Sequence, residues 1–196
     1  MHSELIHLFK QIAYLSEADI ELIKASFKPH FLGKGEYFLK AGDTNQYIGF
    51  LRKGLVRYFV DKNETEATFE FTKEGEFIAD YQSFNSHTLS IQNIQAIEDC
   101  ELLLINFHDV QYIFNHTQNG NLLGRIIVEH RFDVMVNQLL SIYMQNPEER
   151  YKRFVANYSS LAQRIPQYLI ASYVGIQPQS LSRMRKRFAQ ENKPHH

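Results

Sequence analysis

The stretch IPQYLIASYVGIQPQSLSRMRKR, residues 165–187, decides how the rest of the chain is read. Its apolar residues Ile170, Val174, Ile176, Leu181 and Met184 are spaced as two short helices sharing one core would require. Helices that cross steeply need a small residue where they touch, and Ala171 supplies it. The link between them needs a residue that accepts positive φ, and Gly175 stands four positions later. Pro178 suits the first position of the second helix, where a missing N–H costs nothing, with Gln177 just ahead of it. Gln179, Ser180 and Arg183 are then expected to project away from Leu181 and Met184. Such side chains read base edges, Arg suiting guanine and Gln adenine. Arg185, Lys186 and Arg187 follow as expected phosphate contacts, which hold register without reading sequence. The expected DNA-facing set is Gln177, Gln179, Ser180, Ser182, Arg183, Lys186 and Arg187.

Charge divides the chain at the same place. From Arg150 onward there are nine basic residues and one acid, Glu191, out of totals of 21 and 22. Residues 1–149 therefore carry 12 basic against 21 acidic side chains, although the net charge is only −1. An acidic body repels DNA phosphates and a basic end attracts them, and Arg150, Lys152 and Arg153 are placed to help.

Upstream the texture differs. The first ~28 residues read as helix, with Ser16 and Asp19 as a capping box. From Pro29 to Phe107, glycine-punctuated runs rich in β-branched and aromatic residues predict short antiparallel strands. Examples are 47–51, 55–60, 67–71, 90–97 and 101–107, with Asp61-Lys62-Asn63-Glu64 as a hairpin turn. A long helix is predicted over 122–144, where Val128, Phe132, Met135, Leu139 and Ile142 form a seam for a second helix. The seam suits either a second copy or the chain's own interior. Pro147-Glu148-Glu149 opens another helix.

With these elements in order, the chain resembles the Crp/Fnr regulators. Gly35-Glu36-Tyr37, Lys40-Ala41-Gly42-Asp43, Lys53-Gly54-Leu55-Val56-Arg57 and Glu74-Gly75-Glu76-Phe77-Ile78 echo that family's roll. Ile170-Ala171, Gly175 and Ser180-Leu181-Ser182-Arg183 fit its helix-turn-helix. The resemblance implies an α+β chain with three parts: a cyclic-nucleotide-binding-like antiparallel β-roll with flanking helices (1–118), a long dimerisation helix (119–145) and an all-α helix-turn-helix domain (146–196). It implies a homodimer on a near-palindromic DNA site, a small effector at the roll, and RNA polymerase as a further partner. Two departures stand out. In register with the family, Ala79-Asp80 replaces a Gly-Glu pair and Ser90-Ile91-Gln92 replaces Arg-Ser-Ala, so the guanidinium that neutralises a cyclic phosphate is missing. Asp80, Ser90 and Gln92 are either the lining of a pocket for an effector other than cyclic AMP or ordinary turn and surface polars. Only 188–196 follow the second helix, too few for the family's two-stranded wing.

Other chemistry finds few candidates. No apolar run approaches a membrane span, and MHSELIHLF lacks the layout of a secretory signal, so a cytoplasmic protein is expected. One cysteine, Cys100, forbids an internal disulfide, and its acidic neighbours Asp99 and Glu101 disfavour a thiolate. The nine histidines show no pair four residues apart, so no metal is expected, and no cofactor. No catalytic constellation is visible, and an enzyme is not expected. The alternatives are a sensor whose helical tail recruits a protein, and a regulator without an effector.

Overall fold

The computed structural model describes residues 1–62, 65–159 and 161–191. The chain forms two compact units, one of Met1–Val60 with Glu70–Asp133, the other of Asp61–Phe69 with Val134–His196.

The first unit opens with α1 (Ser3–Ile12) and α2 (Glu17–Ser26). The predicted single helical region is broken at 13–16, where Ser16 begins a fresh helix through its capping box with Asp19. Burial would raise the Asp19 carboxyl, but hydrogen bonds from the Ser16 hydroxyl (2.8 Å) and N–H (3.0 Å) outweigh it and hold the carboxyl below its usual range. The strands are β1 (Lys28–Leu32), β2 (Tyr37–Leu39), β3 (Tyr47–Lys53), β4 (Val56–Lys62), β5 (Thr65–Thr72), β6 (Phe77–Ile78), β7 (Asn93–Ala96) and β8 (Cys100–Asn106). They build two four-stranded sheets, ordered β1-β8-β3-β6 and β2-β7-β4-β5. Pro29 lies in β1, at an edge where its missing N–H breaks no inner ladder. The expected turn at 61–64 is partly strand, since β4 runs to Lys62, while Asn63 and Glu64 lie outside the described residues. The strand expected over 90–97 starts only at Asn93, because Ser90 turns the chain by accepting the Gln92 N–H through its own hydroxyl.

The short helix α3 (Tyr81–Ser86) was not read from the sequence, and β1, β2 and β6 lie outside the strand runs named there. After β8 come α4 (Phe107–His116) and α5 (Gly120–Met144), the latter 25 residues long. The core of this unit joins α1, α2, α4 and the start of α5 to the first sheet through Leu5, Phe9, Ile23, Phe50, Leu103, Ile113 and Leu123. Phe77 stacks on Phe9 at 6.1 Å and meets Phe50 at 5.2 Å.

The second unit holds the far half of α5, then α6 (Pro147–Asn157), α7 (Gln167–Val174) and α8 (Pro178–Glu191). Pro147 stands in the first turn of α6 as expected, and Asn146 with Glu149 closes a capping box. Phe154, Leu161, Leu169, Ala171, Val174 and Leu181 form its interior. The hairpin tip 61–69 belongs here too. The Ser172 hydroxyl accepts the Thr68 N–H at 2.9 Å and donates to the Glu66 carbonyl at 2.7 Å.

Gly54 has φ +100°, and a Cβ on it would lie 2.6 Å from both the Asp99 carbonyl and Cys100 Sγ. Gly54→Ala is therefore expected to cost about 2 kcal/mol or more, read as a lower melting temperature. Burial, helped by the charges of Glu98, Glu74 and Asp99, pushes the Cys100 thiol up to about 11. At pH 8 a disulfide reagent should leave the native thiol unmodified and titrate it fully once the chain is denatured. Rapid reaction of the native protein would contradict the packing at Cys100.

Candidate functional site

In the second unit the two helices of the sequence motif are α7 and α8. Ala171 is fully buried at their crossing, as the spacing required. Gly175 adopts φ +79°, and its N–H donates to the Ala171 and Ser172 carbonyls at 2.9 and 3.1 Å, ending α7. The Gln177 carbonyl then accepts the N–H groups of Ser180 and Leu181, which starts α8 with Pro178 in its first turn. Of the five apolar positions, Ile170, Val174 and Leu181 are buried, while Ile176 and Met184 are half-buried at the margin.

The expected DNA-facing residues divide by surroundings. Gln177, Gln179, Ser182, Arg183, Lys186 and Arg187 are exposed, and Ser180 is half-buried. Arg183 reaches back to the Ser180 hydroxyl at 3.4 Å. Arg187 pairs with Glu148 of α6, which also holds Lys152 at 3.2 Å, and both cations lie over the Phe188 ring. The helper cations are likewise engaged. The Arg153 guanidinium donates to the Asn137 carbonyl, and Arg150 lies against the Gly175 turn, where a Cβ would meet its Nη2 at 2.8 Å. Lys193, His195 and His196, together with the chain after Glu191 on which the expectation about the wing bears, lie outside the described residues.

The stripe predicted on α5 is bare in the single chain. Phe132 and Met135 are 60% exposed, Leu139 53% and Ile142 55%. Among the described residues, nothing in the single chain buries these side chains.

In the first unit, Asp80 and Ser90 are both buried and close on each other: the Ser90 hydroxyl donates to Asp80 Oδ2 at 2.7 Å. The other Asp80 oxygen accepts the Ser83 N–H and caps α3. Gln92 adds backbone only, its N–H donating to the Ser90 hydroxyl at 3.1 Å.

Sequence reasoning missed a second buried polar group in the first unit. Glu70 of β5 is buried and accepts both nitrogens of the Arg131 fork from α5, at 2.6 and 3.1 Å. Thr72 donates to the same carboxylate at 3.2 Å, and Tyr58 is buried nearby with its hydroxyl accepting the Ala79 N–H. Burial and the Glu70 charge both push the Tyr58 hydroxyl up, and the Glu70 carboxylate holds Arg131 charged against its own burial. The one signal was an acid standing between Phe69 and Phe71 in a strand. On β4, Arg57 is buried, held by Gln95 at 2.6 and 3.0 Å and stacked 4.0 Å over Phe59. Among the described residues no group of three or more His, Cys, Asp or Glu is arranged to hold a metal, and no helix is long and apolar enough to cross a membrane.

Over residues 29–117 the sequence matches the cyclic nucleotide-binding domain family. No curated protein sequence matches the chain. Among solved structures, the c-di-GMP-responsive global regulator CLP of Xanthomonas campestris shares the fold with a TM-score of 0.70 at 16% identity, covering 92% of this chain and 95% of that one. A cyclic nucleotide-binding domain-containing protein from Listeria monocytogenes gives 0.71 at 14%, over 96% and 91%. A transcriptional regulator assigned to the Crp/Fnr family, from Eubacterium rectale, gives 0.65 at 19%, over 90% and 85%. Residues 29–117 thus match the cyclic nucleotide-binding domain family, in a chain that shares its fold with a global regulator and with a transcriptional regulator assigned to the Crp/Fnr family.

Proposed function

We propose that the chain is a homodimeric, sequence-specific DNA-binding transcription regulator, with residues 1–118 as the roll, 119–145 as the dimer helix and 146–196 as the DNA-binding domain. The observation that carries this reading is α8, which presents Gln179, Ser182, Arg183 and Lys186 on its exposed side and buries Leu181 on the other. Set into a major groove, that side offers base-reading groups near its start and phosphate contacts further on. Arg187 and Lys152 exchange Glu148 for phosphate on binding. The bare stripe of α5 pairs with its copy, and a two-fold dimer places half-site centres ~34 Å apart on a near-palindromic site. RNA polymerase is the downstream partner, and the protein works in the cytoplasm without catalysing a reaction.

An effector other than cyclic AMP at Asp80, Ser90 and Gln92 would shift DNA affinity by a coupling of about 1–3 kcal/mol. A second reading, a regulator with no effector, is favoured by one observation: Asp80 and Ser90 already satisfy each other, and Gln92 offers them only its backbone.

Fluorescence anisotropy with DNA from upstream of the gene, against a scrambled duplex across a salt series, tests the proposal. Tighter binding to the native duplex is expected, and no binding to either at low salt would sink it. Arg183→Ala should lose about 1–3 kcal/mol and relax specificity at one base position. Leu139→Glu should turn a dimer into a monomer by analytical ultracentrifugation; an unchanged dimer would remove α5 from the interface.

A further inference from the structure

Glu70 and Arg131 belong to different layers of the first unit, a strand and the long helix. Their contact is a two-pronged fork, and the carboxylate is filled: Oε1 accepts Arg131 Nη1 and Thr72 Oγ1, Oε2 accepts Arg131 Nη2. The Glu70 side chain is 6% exposed and that of Arg131 33%. A buried ion pair adds little net stability over an apolar pair of equal volume, because desolvation cancels the attraction. What it does supply is direction, since a planar fork accepts a carboxylate in one orientation. Arg131 immediately precedes Phe132 and follows Val128 by three positions, so whatever fixes Arg131 also fixes how the bare stripe of α5 is turned.

Glu76 and Lys73, of opposite charge, lie close to the pair. Glu76 is half-buried, and its carboxyl is raised by burial and, more weakly, by Glu70, with Lys73 and Arg131 only partly offsetting this. An incoming phosphate would meet a guanidinium that Glu70 already neutralises.

Resting on the regulator reading above, we infer that Glu70 is the resident anion of the roll. It takes the place of a charged effector, locks the first half of α5 in one rotation through Arg131, and leaves cyclic nucleotides without a role. DNA competence is then set by the chain itself.

Hydrogen–deuterium exchange of the full chain tests the lock. In Arg131→Met, amides of α5 between 120 and 133 should exchange about tenfold faster or more, while those of α4 and β8 keep their rates. The double variant E70L/R131M removes both charges together and guards against a single variant that fails to fold. It should melt within a few degrees of the parent yet keep the fast exchange in α5. Without any added ligand it should bind the native duplex about tenfold more weakly than the parent. Unchanged α5 exchange in both variants would overturn the inference. So would a parent chain that binds its duplex only after cyclic AMP or cyclic GMP is added. A parent chain that binds no DNA, combined with accelerated exchange in the variants, would end the regulator reading and leave the lock supported.

Discussion

An apolar stripe along a helix is unfavourable in water until something covers it, and α5 carries Phe132, Met135 and Leu139 more than half exposed. Each such side chain gains about 1.5–3 kcal/mol when fully buried. The early turns of the same helix spend their apolar residues differently, with Leu123 buried in the roll core and Gly124 set close against the Phe114 ring. One helix therefore serves an internal core first and an external seam afterwards. The two demands require its rotation to be fixed, and Arg131 stands where one gives way to the other.

The two ends of the chain use polar groups in opposite ways. Inside the roll the buried carboxylates are consumed: Asp80 by Ser90 and the cap of α3, Glu70 by Arg131 and Thr72. Along α8, the contacts seen among the described residues include Arg187 on Glu148 and a long contact between Arg183 and Ser180. Satisfied buried groups hold a shape, whereas exposed donors in a row remain available to a ligand.

Much of this was legible in the sequence where the signal was local. Gly175 and Pro178 mark their helix ends through backbone geometry, Ala171 marks the crossing through its size, and Ser16 marks its helix start through a cap. The stripe on α5 could be read from spacing, but its exposure could not, because periodicity does not say what faces it. The strand predicted over 90–97 lost its first residues to the turn that Ser90 makes with the Gln92 N–H, and the Asp80 contact that also holds Ser90 spans ten positions and leaves no periodic trace. The Glu70–Arg131 pair was invisible for the same reason at a separation of 61 residues. Arg187 reads as a phosphate contact from composition, while its partner Glu148 lies 39 residues away.

The hydrogen bonds of Ser172 join it to backbone made 104 and 106 residues earlier. At about 5–20 residues per second, a ribosome completes the β4–β5 hairpin some 5–20 seconds before Ser172 exists. Through that interval β5 is the outer strand of its sheet, and the Ser172 contacts to Glu66 and Thr68 are not yet made. Asp61, Lys62 and Glu66, all exposed, charge the tip during the wait. A nascent chain with a naked strand edge is prone to pair with its neighbours on a polysome, and those charges make such pairing unfavourable until α7 arrives to close the edge.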